Sequence, residues 1–205
     1  MSAPTVLFVL QRVLALGATG RLVMAALGPG FTLSLLLLEA WVAAALFIAF
    51  LALQRLGELV LARRNTSRLL ARGAIEHGAG HYPLIVALHA AWLACIAVIG
   101  WGQPVNPLWL AIFALLQRLR VWILATLGPR WTTRIIVLDE PLVRRGPFRF
   151  LRHPNYTCVV AEIAVAPIVL GLVWVAVVFS VLNALVLWVR IRAENAALAS
   201  LRPLA

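Results

Sequence analysis

Two polar clusters interrupt an otherwise apolar chain. The first runs Glu140-Pro-Leu-Val143-Arg-Arg-Gly146-Pro-Phe148-Arg-Phe-Leu-Arg152-His153-Pro154-Asn155-Tyr156, and the second is Arg190-Ile-Arg192-Ala-Glu194-Asn195. A hydrophobic anchor has no use for His, Tyr, Glu and several Arg at membrane depth, because each costs desolvation there. A small-molecule site cut into one face of a helical bundle does use them. Arg190 and Glu194 are four residues apart and share one helix face, where they can hold an anionic and a cationic ligand group side by side. Base-before-acid is the weaker order for a helical ion pair, which argues against a purely local role. Arg is suited to a carboxylate because its fork of donors matches two oxygens. Taken singly, the same residues have ordinary readings: His153 as a cap, Tyr156 as an interfacial aromatic, and Arg144, Arg145 and Arg149 as headgroup contacts.

The elements that position these groups are membrane spans. The 205 residues are 63% hydrophobic, and the mean hydropathy is +0.98. Soluble domains average nearer half apolar. Several runs approach the roughly 20 apolar residues that cross hydrocarbon. The expectation is therefore an all-α, polytopic membrane bundle of about five transmembrane helices. The net charge of +11 comes from 18 arginines and no lysine. In a soluble protein that charge suggests nucleic acid. Beside spans it reflects topology and anionic headgroups, so no nucleic-acid partner is expected. Cys95 and Cys158 imply neither a disulfide framework nor a metal site. The N-terminus has no basic region before its apolar stretch, so no cleavable signal peptide is expected.

Residues 1–30 form an apolar to amphipathic segment broken by Gln11, Arg12 and Arg21, and residues 31–205 are read as the integral-membrane domain. Its spans are Phe31–Leu53, Pro83–Gly100 and Pro107–Leu127. A helical hairpin follows, Tyr156–Leu170 and Leu172–Leu198, because Pro167 and Gly171 punctuate a run too long for one helix. The first arm is short for a full span. A cytoplasmic loop after Leu53 puts Arg63, Arg64, Arg68, Arg72, both polar clusters and the C-terminus on one side, with the uncharged turn Trp101–Asn106 on the other. The active site is thus expected to face the cytoplasm, in a bacterial inner membrane. Arg118 and Arg120 lie two apart and so on different faces, and at least one needs a partner or snorkels. Glu39 and Glu162 are intramembrane acids, equally readable as functional groups or as partners of those arginines. Arg55 and Glu58 look like an ordinary helix pair, and His89 like a satisfied bundle residue.

Arg152-His153-Pro154-x-Tyr156 at the mouth of one span, with Arg190-x-x-x-Glu194 at the end of the next, resembles the isoprenylcysteine carboxyl methyltransferase family. The lead-in Leu142-Val143-x-x-Gly146-Pro-Phe148 shares the likeness, as do Arg63-Arg64-Asn65, Arg72-Gly73-Ala74 and His81-Tyr82-Pro83. It is strongest over 127–198, the expected catalytic part. The resemblance implies S-adenosylmethionine as the cofactor. Glu140, Pro141, Leu142 and Val143 would line it through backbone and apolar contacts. Phe148 stands where the family often has Tyr. His153, Pro154, Asn155 and Tyr156 would form the adjoining wall, Glu194 would hold the cofactor's amino or ribose groups, and Arg190 would face the acceptor. Cys158 replaces a usual Gly, and Asn195 replaces the second acid of a common Glu-Glu pair. Arg144-Arg145 replaces more neutral residues.

Methyl transfer from a sulfonium is an in-line displacement that needs alignment and dryness more than acid–base chemistry. A carboxylate acceptor is already ionised. A phenol or enol gains from a base, for which His153 or Glu194 is the candidate. The implied activity is O-methylation of a lipophilic or lipidated acceptor that enters from among membrane lipids, carboxyl methylation first. A long-chain polyketide phenol or pyrone is the alternative, and phospholipid N-methylation, which Arg190 disfavours, a further one. A small transporter or scaffold is the non-enzymatic reading. A transporter would favour inverted repeats and paired broken helices, and a scaffold would not require the two clusters.

Overall fold

A computed structural model of the protein describes residues 29–199. Helix α1 spans Pro29–Ala71, α2 Tyr82–Ile99, α3 Pro107–Leu127, α4 Pro154–Val169 and α5 Val173–Ala199. Four of the five are long and apolar enough to cross a membrane; α4, with 16 residues, is not. At 1.5 Å per residue α4 is about 24 Å long, short of the roughly 30 Å hydrocarbon thickness. The protein is an all-α polytopic membrane bundle. The expected N-terminal segment lies, through residue 28, outside the described residues.

One expected boundary is corrected. The loop placed after Leu53 is helix: α1 continues unbroken to Ala71. Gln54–Ala71 is rich in Leu and Arg, which are good helix formers, and no Pro interrupts it. Its 43 residues make a rod of about 64 Å, twice what the hydrocarbon needs. The arginine-bearing end therefore reaches beyond the apolar layer as continuous helix.

Beyond α1 lies a small antiparallel ribbon, β1 (Ile75–His77) against β2 (Ile135–Val137), with Ile75 opposite Val137. Strands of three residues are too short to show an alternating pattern, so the sequence had no signal for them. Buried Ile135 and Val137 pack with Ala193 and Ala197 of α5. The ribbon thus gathers the ends of α1, α3 and α5 at the pole that carries both polar clusters. At the opposite pole the Asn106 side chain accepts from the backbone N–H groups of Leu108 (3.0 Å) and Trp109 (3.2 Å) and caps α3. Its own N–H donates to the Val169 carbonyl at 2.8 Å, which joins the start of α3 to the end of α4.

Helix α4 is central, packed against α3 and α5, while α2 packs on α5. Ala44, Phe47 and Leu51 of α1 meet Trp92 and Ile96 of α2, Phe113 of α3 and Ile163, Ala166 and Val169 of α4 in one cluster. Pro167 sits inside α4 and has no N–H for the Ile163 carbonyl. The Trp92 indole donates to that carbonyl at 3.2 Å, so the proline leaves no orphaned backbone group in the apolar layer. The helix then closes in a Schellman turn. Leu172 N–H bonds to the Pro167 carbonyl and Gly171 N–H to that of Ile168, with Gly171 at φ 71°. The α4–α5 hairpin expected from Pro167 and Gly171 is thereby realised.

Candidate functional site

The hairpin brings the two polar clusters together. Tyr156, in the first turns of α4, donates its hydroxyl proton to Glu194 of α5. The same oxygen accepts from Arg190 Nε at 2.9 Å, and the guanidinium carbon lies 5.5 Å from the Tyr156 ring centre. The His153 ring stacks on Tyr156 at 5.4 Å and 21°. Across the same junction Arg152 donates to Asn195 at 3.2 Å. Arg190 is only 8% exposed. Its two terminal nitrogens have no hydrogen-bond or ion-pair partner among the described residues. A buried cation whose fork is uncommitted is matched to an anionic oxygen pair.

Below this junction lies a four-charge network. Glu162 is fully buried and receives Arg120 and Arg55, and Gln117 donates to it at 3.0 Å. Glu58 pairs with Arg55 at 2.8 Å and with Arg120 at 3.4 Å. Two arginines and two glutamates balance, as burial requires. Sequence reasoning left Glu162 and Arg120 open and treated Arg55 and Glu58 as a local pair; the structure joins all four. Arg118 is exposed and Arg120 is buried, as their opposite faces predict, and Glu39 is exposed. The network connects to the motif through Asn155, whose side-chain oxygen accepts from Arg120 at 3.2 Å and from the Trp131 indole at 3.4 Å.

Between α1, α2, α4 and α5 lies a cavity of about 340 Å³, within the usual range for a small-ligand site. Leu56, Val86, Val159 and Leu187 are among its apolar walls. Tyr156, Arg190, Asn155 and Tyr82 also line it, with Arg55, His89 and Asn183. The Tyr82 hydroxyl is 3.0 Å from that of Thr133. His89 Nδ1 lies 2.9 Å from the Ile85 carbonyl; since a carbonyl only accepts, that nitrogen carries a proton. Asn183 carried no reading from sequence. Its available signal was position, seven residues before Arg190 and so on the same stripe of α5.

The remaining expected residues lie as follows. Pro154 is buried at the start of α4. Phe148 packs with Ala62, Ile123, Trp131 and Cys158. Leu142 is exposed and Val143 half-buried. Glu140 pairs with Arg72, one residue past the end of α1, and Arg130 donates to the Pro141 carbonyl at 2.8 Å. Gly146, at φ 57°, leads this stretch into a short 3-10 turn over Gly146–Arg149. A Cβ there would stand 2.6 Å from Thr126 Oγ1 and 3.3 Å from the Trp122 indole nitrogen. Gly146→Ala is expected to destabilise by about 1–3 kcal/mol through strain and clash, read as a lower thermal midpoint in detergent. Adding Thr126→Ala should recover the part due to the clash. No recovery would place the whole effect in the backbone.

The comparisons agree with this architecture. The model of the isoprenylcysteine carboxyl methyltransferase family matches residues 109–200, which take in α4, α5 and both polar clusters; this supports a membrane methyltransferase. The chain is 40% identical over 159 residues to the uncharacterized protein YpbQ of Bacillus subtilis, covering 75% of this chain and 95% of that one. It is 27% identical over 164 residues to an uncharacterized protein of Haemophilus influenzae, covering 77% and 95%. No solved structure matches. A motif-bearing hairpin, four apolar spans and a match through the C-terminal half converge: the chain belongs to the isoprenylcysteine carboxyl methyltransferase family.

Proposed function

We propose that the protein moves a methyl group from S-adenosylmethionine to a carboxylate oxygen of a lipophilic acceptor. The carrying observation is the apolar cavity that ends at the uncommitted fork of Arg190 and the Tyr156 hydroxyl. A lipid tail suits the walls, and a carboxylate suits the cation. The residues of the motif suit the cofactor. His153 Nε2 is buried without a hydrogen-bond partner among the described residues, and Glu194 offers a carboxylate to a cationic or hydroxylated group. When bound, the cofactor supplies an electrophilic methyl on a sulfonium.

Within this reading Glu140, Pro141, Leu142, Val143, Phe148, His153, Pro154, Asn155, Tyr156 and Glu194 hold the cofactor, and Arg190 orients the acceptor. Glu194 accepts from Tyr156 and keeps further lone pairs for the cofactor. The uncommitted fork of Arg190 favours an acceptor ionised beforehand over a phenol or pyrone. The arginines around the mouth disfavour the ammonium headgroup of a phospholipid. The acceptor enters sideways between helices and the cofactor from the cytoplasm.

Calorimetric titration of the detergent-purified protein with S-adenosylhomocysteine tests the cofactor. Binding is expected, weakened about tenfold or more by Glu194→Ala and by His153→Ala, as hydrogen bonds to charged groups imply. Absence of binding by folded protein, in detergent and after reconstitution in lipid, would overturn the assignment. A screen of lipid acids, phenols and amines for methyl transfer then separates the acceptor classes.

A further inference from the structure

The cavity has a second polar layer deeper in the bundle. Arg190 and Asn183 are seven residues apart on one stripe of α5, about 10 Å along its axis, and both line the cavity. The same step along α2 leads from Tyr82 to His89, both also in its wall. In α4, six residues separate Tyr156, which touches Arg190, from Glu162, which binds Arg55. Since α4 and α5 are antiparallel arms of one hairpin, Asn183, Glu162 and Arg55 fall at a similar depth.

Two donors in this layer lack acceptors among the described residues. Asn183 is 5% exposed, and its Nδ2 is buried with no hydrogen-bond partner. Arg55 donates through Nη1 to Glu58 and through Nη2 to Glu162, while its Nε is buried and unpartnered. An unmet donor in a low-dielectric wall costs about 1–3 kcal/mol. Both side chains line the cavity while these N–H groups are covered; a side-chain rotation would turn them toward a ligand that brings an oxygen to that depth. An unbroken hydrocarbon tail would leave both unmet.

We propose that Asn183, with Arg55, forms a deep oxygen subsite, and that the acceptor carries a carbonyl, ether or hydroxyl oxygen about two helical turns from the oxygen that is methylated. This rests on reading the cavity as the acceptor site. It separates keto- or hydroxyl-bearing acyl chains from plain fatty chains, a distinction that the Arg190 end cannot make.

Binding of palmitic acid and of its mono-keto isomers, with the ketone moved stepwise along the chain, tests this by calorimetry on the full chain in detergent. One mid-chain isomer should bind about five- to tenfold more tightly than palmitic acid, the worth of one added buried hydrogen bond. Asn183→Leu should bring that ratio to about one. A flat isomer series in the wild type would overturn the proposal, whether or not the variant folds. So would a preference that survives intact in a folded Asn183→Leu protein. Ligand binding needs no methyl transfer. Failure of the methyltransferase reading would instead show as absent S-adenosylhomocysteine binding in the same preparation.

Discussion

Glu162→Ala should lower the stability of the bundle by about 3–5 kcal/mol, the usual consequence of removing one partner from a buried ion pair. Glu162 is fully buried and receives two arginines, from α1 and α3, through hydrogen bonds that link sequence positions 107 and 42 residues distant. Its loss leaves two guanidinium groups facing only Glu58, in a layer where water cannot compensate. The damage should spread, because Arg120 also holds Asn155, the neighbour of Tyr156 in the chain. Thermal unfolding in detergent reads the first effect, and S-adenosylhomocysteine affinity reads the second. Glu162→Gln keeps the size of the side chain and should fall nearly as far, since charge and not volume is what the arginines lack. A Gln variant as stable as wild type would show that the network is held by packing and neutral hydrogen bonds.

Arg190→Ala should reduce kcat/KM for an anionic acceptor by about 10- to 100-fold, the range for losing hydrogen bonds to a charged group. Arg190 Nε is engaged by Tyr156 while its terminal nitrogens stay uncommitted at the head of the cavity. The loss therefore includes both acceptor charge and the positioning of Tyr156. Arg190→Lys keeps the cation without the fork and should recover part of the rise in KM, leaving kcat low, because a point charge attracts a carboxylate but does not align it. Tyr156→Phe separates the remaining contribution. If the alanine and lysine variants lose equally in KM and kcat, the fork carries the whole effect. If neither loses activity, the acceptor does not meet Arg190.

The spans, the hairpin at Pro167 and Gly171, and the polarity of the two ends follow from hydropathy, proline and arginine placement. These are local properties of neighbouring residues. The same locality explains the motif: Tyr156 and the Arg190/Glu194 pair could be matched as patterns before their contact was seen. Residues Gln54–Ala71 misled for a related reason, because arginines that end a membrane span do not end a helix.

The ribbon, the charge network and the cavity were settled by tertiary structure. Arg55 meets Glu162 across 107 residues, and no local rule pairs one buried arginine among 18 basic residues with one acid. Asn183 gains meaning only once a void opens beside it. By itself the sequence determined that this is a helical membrane protein with a polar site at one end. The packing of α1, α2, α4 and α5 decided what that site reaches, because desolvation makes a buried charge or amide depend on whichever group stands opposite it.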